Sequence, residues 1–236
     1  EVRKINPSDI ARRRDFLLYL QKMNQALLLV FQLAVLLFSV IIHEVSHGLA
    51  ALKLGDTTAR DAGRLTLNPI KHLDIFGSII LPLSLFLVSN GAFVLGWAKP
   101  VPYNPYNLKN PRRGSGIIAA MGPLSNFMVA VIFAVILRAI LPFVQPDTVA
   151  EGLVSFLSYI VFINVLLAIF NLVPLPPLDG SSILFSFLPP RWHAVKDFLT
   201  RYGFWILIFF IFFGFQFIVP IVSSIYRLLA GPAAIL

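Results

Sequence analysis

The stretch QALLLVFQLAVLLFSVIIHEVSHGLAALKL, residues 25–54, decides how this chain folds. It is apolar and long enough to cross a bilayer, whose hydrocarbon core takes about 20 helical residues. Before Lys53 its only ionisable side chains are His43, Glu44 and His47. Such groups are costly at membrane depth and mark function, because each needs a partner. The spacing names the partner. Residues four apart on a helix share a face, about 6 Å apart along the axis. Two imidazoles so placed can bind one tetrahedral Zn²⁺, with Glu44 beside it to take a proton from water. The plainer alternative for this HExxH motif is a pair of interior polar residues hydrogen-bonded to neighbouring helices.

Composition fixes the class. Of 236 residues, 58% are hydrophobic and only 13% charged, and the mean hydropathy is +0.83. A soluble domain carries about 25% charged residues. Several apolar runs of spanning length make this a polytopic helical membrane protein. The net charge of +8 does not point to nucleic acid, since the bases sit in short loops between spans. There they act as topology determinants and phospholipid contacts. With no cysteine in the chain, a zinc ion must be held by His and carboxylate. The first long apolar run carries the candidate site instead of a cleavage site, so no signal peptide is expected.

Along the chain, residues 1–22 form a basic N-terminal segment in which Ile10–Leu20 suits an interfacial helix. Residues 23–236 read as a single transmembrane domain. Spans are expected at roughly 25–53, 116–141, 153–173 and 203–229. Thr57–Pro69 alternates briefly around Leu-Thr-Leu and is punctuated by Gly and Asn-Pro, which reads as a hairpin-like strand. The run Ile75–Trp97 is interrupted by Gly77, Pro82 and Asn90-Gly91. That pattern suits an element that dips into the membrane and returns.

A catalytic zinc needs a third protein ligand. His72 and His193 lie beside loop prolines or charges, where surface roles suffice. Asp147 and Glu151 share an acidic connection, while Asp56, Asp61, Asp74 and Asp197 have basic neighbours. Asp179 differs: it follows an apolar span directly, in NLVPLPPLDG, residues 171–180. Its prolines break the helix and Gly180 permits a tight turn. Unwound backbone at membrane depth must line a cavity or lie within protein. Asp179 is therefore either the third ligand or a capping aspartate in a helix-ending loop.

Three ordered motifs carry a resemblance: HEVSHG at 43–48, AAMGPLSNF at 119–127 and NLVPLPPLDG at 171–180. Together they resemble the site-2 protease family of intramembrane zinc metalloproteases. GRLTLNPIKHLDIFGSIILP (63–82) and GWAKPVPYNPYNLKNPRRG (96–114) resemble its small prokaryotic members, which lack an appended regulatory domain. The likeness covers roughly residues 25–230. It implies an all-α polytopic membrane protein, a site-2 protease-like helix core with a small membrane-associated β-hairpin or re-entrant element. It makes His43, His47 and Asp179 the ligands of one zinc per chain and Glu44 the general base. On the substrate side it implies that Asn171 holds the substrate backbone and that Asn126 supports the site. The expected substrate is a transmembrane protein or peptide, cleaved in or near its span within the lipid bilayer.

One metal shared by His43 and Asp179 requires the first span and the one ending near Leu172 to finish at the same face. Lys99, Lys109, Arg112 and Arg113 lie at that face, whereas the far connection has Asp147, Glu151 and no base. The positive-inside rule makes the face cytoplasmic in a prokaryotic cell membrane, against the pull of the basic N-terminus. Two competing classes are a membrane zinc transporter and a non-catalytic scaffold. A transporter needs more polar groups along a pathway than Arg138 supplies, and a scaffold has no use for Glu44.

Overall fold

A computed structural model describes residues 7–88, 96, 98–144 and 149–231, and among them every regular element is helical. The chain divides into two units, residues 1–37 and 38–236. The first is helical from Pro7, as the start of α1 (Pro7–Lys53). The second continues α1 and adds α2 (Thr58–Asp61), α3 (Leu81–Val88), α4 (Pro111–Ile140), α5 (Val149–Asn171), α6 (Asp179–Phe187), α7 (His193–Phe209) and α8 (Phe215–Ala230). Among the described residues, four helical stretches are long and apolar enough to span: Leu27–Lys53, Pro111–Phe143, Gly152–Asn171 and His193–Ala230. All four match the expected spans.

The core of the second unit lies where α4, α5 and α8 pack. Ala130, Ala134 and Leu137 meet Val154, Leu157, Val161 and Val165, with Ile218, Val222 and Tyr226 across them. Small residues at this seam let the backbones approach, which is how helices associate where lipid is as apolar as leucine. Large side chains such as Ile132, Val135, Phe213 and Phe217 point outward instead, as a lipid-facing surface requires.

The hairpin expected at Thr57–Pro69 is not formed. Thr58–Asp61 is a helical turn, and Pro69–Lys71 is a turn of 3₁₀ helix capped by the Asn68 side chain. Gly63, at φ +64°, ends α2 instead of turning a hairpin. The Gly63 N–H donates to Arg60 and the Arg64 N–H to Ala59, the paired bonds of a glycine-closed helix end. Gly55, at φ +103°, closes α1 in the same way, with Gly55 bonded to Leu52 and Asp56 to Ala51. A glycine between short polar runs carries the same sequence signal in both settings, so alternation over Leu65–Leu67 misled. His72 also departs from expectation. It is wholly buried, its Nε2 2.8 Å from the Thr66 carbonyl.

The run after His72 enters a π-helical turn at Ile75–Ile80, capped by Asp74, and continues as α3. The Lys99 N–H donates to the His72 carbonyl at 2.9 Å. The two ends of the expected re-entrant run thus meet, while residues 89–95 and 97, on which the rest of that expectation falls, lie outside the described residues.

Asp56 ties this returning segment to the end of α1. Its Oδ1 accepts from the Thr58 hydroxyl at 2.6 Å and Asn107 Nδ2 at 2.7 Å, and its Oδ2 from the Asn104 N–H at 2.8 Å. Burial alone would raise its pKa, but these donors outweigh burial and hold it below the ordinary value. A depressed folded-state pKa stabilises above the unfolded value of about 3.9 and is lost as pH falls through the folded one. Asp56→Asn is therefore expected to cost on the order of 2 kcal/mol at pH 7, with the difference beginning to shrink below about pH 4 and vanishing only below the depressed folded-state value. Thermal melting in detergent at pH 7 and 3.5 measures both.

Pro111 and Arg112 at the start of α4 line one cavity with Trp192 and His193 at the start of α7, so both helices begin at the same face. Single cysteines at Lys109 and Trp192 are expected to react with an impermeant reagent from one side, and a cysteine at Phe143 from the other. Opposite accessibility at 109 and 192 would overturn this topology.

Candidate metal centre

Near its C-terminal end α1 presents His43 and His47 one turn apart, with ring centroids 4.7 Å from each other. The third group arrives from far along the chain. At Asn171 the prolines of 174–177 end α5, and α6 starts with Asp179 in its first turn. Gly180 sits so close to the carbonyls of Leu172 and Val173 that any Cβ there would collide with them. This tight packing brings Asp179 Oδ2 to 3.0 Å from His43 Nε2 and 3.3 Å from His47 Nε2. Ligand atoms of the three residues lie within 4.8 Å of one another.

The imidazole protons are committed elsewhere. His43 Nδ1 lies 2.6 Å from Asn126 Oδ1, and His47 Nδ1 lies 2.7 Å from the Ile118 carbonyl. Both oxygens can only accept, so each Nδ1 carries the proton and, in a neutral ring, each Nε2 offers a lone pair. The Asn126 amide is itself fixed, since its Nδ2 donates to the Ser39 carbonyl at 3.1 Å and to Asn164 Oδ1 at 3.0 Å. Asn164 in turn donates to Ser39 Oγ at 2.9 Å. Asp179 Oδ2 is buried without a hydrogen-bond donor. With neutral rings, two lone pairs and a carboxylate oxygen thus converge in a largely buried surround. That set fits a divalent cation, and His₂Asp suits zinc.

Space for the two rings comes from α4. A Cβ on Gly122 would come within 2.5 Å of Nε2 of both His43 and His47. Glu44 lies outside the ligand set, and its Oε2 accepts the Val101 N–H at 2.8 Å. Val101 belongs to the returning segment, which the buried Arg64 grips by the Lys99 carbonyl at 2.7 Å. Asn126 is wholly buried behind His43. Asn171 closes α5 with its Nδ2 donating to the Leu167 carbonyl at 2.9 Å, and its side-chain oxygen accepts no bond among the described residues. Sequence reasoning missed Ser39, Asn164 and the Val101 N–H. Asn164 had a usable signal, as a lone amide inside an apolar span; a backbone donor has none.

The chain matches Peptidase family M50 over residues 31–146 and 139–212. It is 38% identical to YwhC of Bacillus subtilis, which carries the name of a zinc metalloprotease, over 75% of this chain and 77% of that one. Rip2 of Mycolicibacterium smegmatis, similarly named, is 27% identical over 73% of this chain and 62% of its own length. The protease RseP of Photorhabdus luminescens is 43% identical over 63 residues, 25% of this chain and 28% of RseP. No solved structure matches.

The layer behind His43 generates a test. Asn126→Ala leaves the His43 Nδ1–H without its acceptor and is expected to lower zinc affinity ten- to a hundredfold. Asn164→Ala, one bond further out, should fall between that variant and the parent. Competition with a chromogenic chelator reads both, and equal zinc retention in all three proteins would show that the layer does not hold the site.

Proposed function

This chain belongs to peptidase family M50 and is an intramembrane zinc metalloprotease; we propose that His43, His47 and Asp179 hold its zinc and that Glu44 is its general base. The observation that carries the reading is the convergence of His43 Nε2, His47 Nε2 and Asp179 Oδ2 with both Nδ1 protons spent behind the rings. Bound zinc supplies Lewis acidity for activating water and a peptide carbonyl. Glu44 accepts the proton of the attacking water and delivers it to the leaving amine. The Val101 N–H holds one of its oxygens, so the carboxylate is aimed before substrate arrives. Asn171, with an unused side-chain oxygen, is suited to hold an N–H of the unwound substrate backbone beside the scissile bond. Asn126 acts through His43, fixing the ring that would bind the metal.

The substrate in this reading is a membrane protein or peptide cut in or near its transmembrane segment, with the lipid bilayer as the other partner. The metal centre opens toward the face where α4 and α7 begin. Lys99, Lys109, Arg112, Arg113 and Arg191 gather there, which supports a cytoplasmic active site in a prokaryotic membrane.

Three substitutions test the roles together. Glu44→Gln is expected to keep zinc, with Zn–N/O distances of about 2.0–2.1 Å by X-ray absorption, while cleavage of a membrane-span substrate falls at least ~100-fold. Asp179→Ala should lose most of its zinc and its activity together. Asn171→Ala should keep zinc but cleave poorly. A fully active Glu44→Gln protein would remove Glu44 as the base, and undiminished zinc in Asp179→Ala would assign the third ligand elsewhere.

A further inference from the structure

Among the described residues, Arg60 pairs with Asp61. Arg112 and Lys196 have no carboxylate partner, yet they face the same cavity of about 530 Å³. It lies between the start of α4, one side of α6 and the start of α7. Its polar lining is Arg112, Ser115, Ser182, Ser186, His193 and Lys196, with no carboxylate. Its volume is in the range of small-molecule sites, about 300–1,000 Å³. Two cations around one partly enclosed space repel each other unless an anion lies between them.

Both cations are positioned by the protein. The Arg112 guanidinium donates to the carbonyls of Phe185 and Leu188, where α6 ends. Lys196 Nζ stands 5.8 Å above the Phe185 ring. The same turn of α6 therefore pins both, and three serines add neutral hydroxyl groups. That combination suits an oxyanion with several acceptor oxygens, such as a phosphate.

A second cavity, of about 710 Å³, lies beside the first and shares Arg112 and Ser186 with it. Much of its wall is apolar: Ile117 and Ala120 of α4, with Ile183 and Phe187 of α6. Two cavities with mostly apolar walls thus meet at Arg112, the first also lined by His193 and Lys196 and the second by Arg113. A free anion has no use for so much apolar wall, whereas a lipid needs both that wall and the cations.

We propose that these adjoining cavities bind a phosphate-bearing anion, an anionic phospholipid whose phosphate lies among Arg112, His193 and Lys196 and whose acyl chain follows Ile117, Ala120 and Phe187. The site adjoins the metal centre without being part of it. Asp179, Ser182 and Ser186 share one face of α6, so the bound headgroup lies along the helix that carries Asp179. Binding is read without any cleavage, and its failure leaves the protease reading untouched.

The test uses the full chain in detergent, titrated separately with phosphatidylglycerol, phosphatidylcholine and inorganic phosphate, with bound ligand counted by native mass spectrometry. Phosphatidylglycerol is expected to bind about tenfold more tightly than phosphatidylcholine, and Lys196→Glu to remove about that advantage. Lys71→Gln, at a base outside both cavities, should change nothing. Arg112→Gln should weaken binding too, but Arg112 also braces α6, so Lys196→Glu keeps the test decisive if the arginine variant misfolds. Saturable inorganic phosphate binding that Lys196→Glu abolishes, with no preference for phosphatidylglycerol, would keep the anion site and overturn its assignment to lipid. Phosphatidylglycerol binding unchanged in Lys196→Glu would overturn the site.

Discussion

His43 Nε2, His47 Nε2 and Asp179 Oδ2 stand within 4.8 Å of one another as three acceptors, because the imidazole protons are turned away toward Asn126 and Ile118. With neutral rings, three lone pairs in a largely buried site cannot face each other without a cation. Meeting that condition dictates much of the rest. Asp179 must be brought from beyond α5, which explains the proline-rich break and the close seating of Gly180. The rings must fit against α4, which explains Gly122. Their protons must find acceptors on α4, which explains why Asn126 sits in a span and why Asn164 and Ser39 brace it.

The returning segment is governed by a different economy. It has no regular structure to satisfy its backbone, so its polar groups are met one at a time by buried side chains. Arg64 takes the Lys99 carbonyl, Glu44 takes the Val101 N–H, and Asp56 takes the Asn104 N–H. All three acceptors or donors come from residues 44–64, so the segment is indexed to the end of α1. Irregular backbone near the membrane is tolerable on that condition.

What was legible in the sequence follows from how local each signal is. The HExxH spacing speaks through one turn of helix, and the spans speak through about 20 apolar residues; both were readable. The meeting of Asp179 with the two histidines was reachable because the prolines and Gly180 around it forbid a continuous helix, although the residues alone left ligand and capping roles equally open. The hairpin failed because Gly63 serves a helix end and a β-turn equally well, and only Ala59 and Arg60, bonded back across it, decide. His72 looked like a surface residue beside charges, and its burial depends on Lys99 returning to it, a pairing no local pattern announces. Asn164 was visible as an oddity in α5, but its partner Asn126 lies on another helix.

The placement of Asp179 also has a consequence in time. The paired histidines of α1 leave the ribosome before α4 and α5, and the aspartate follows only after both have been made. Two imidazoles on one helix hold a metal weakly. With the proposed ligand set, the growing chain therefore carries an incomplete centre until α6 is made. On that proposal, activity waits on the closing of α6.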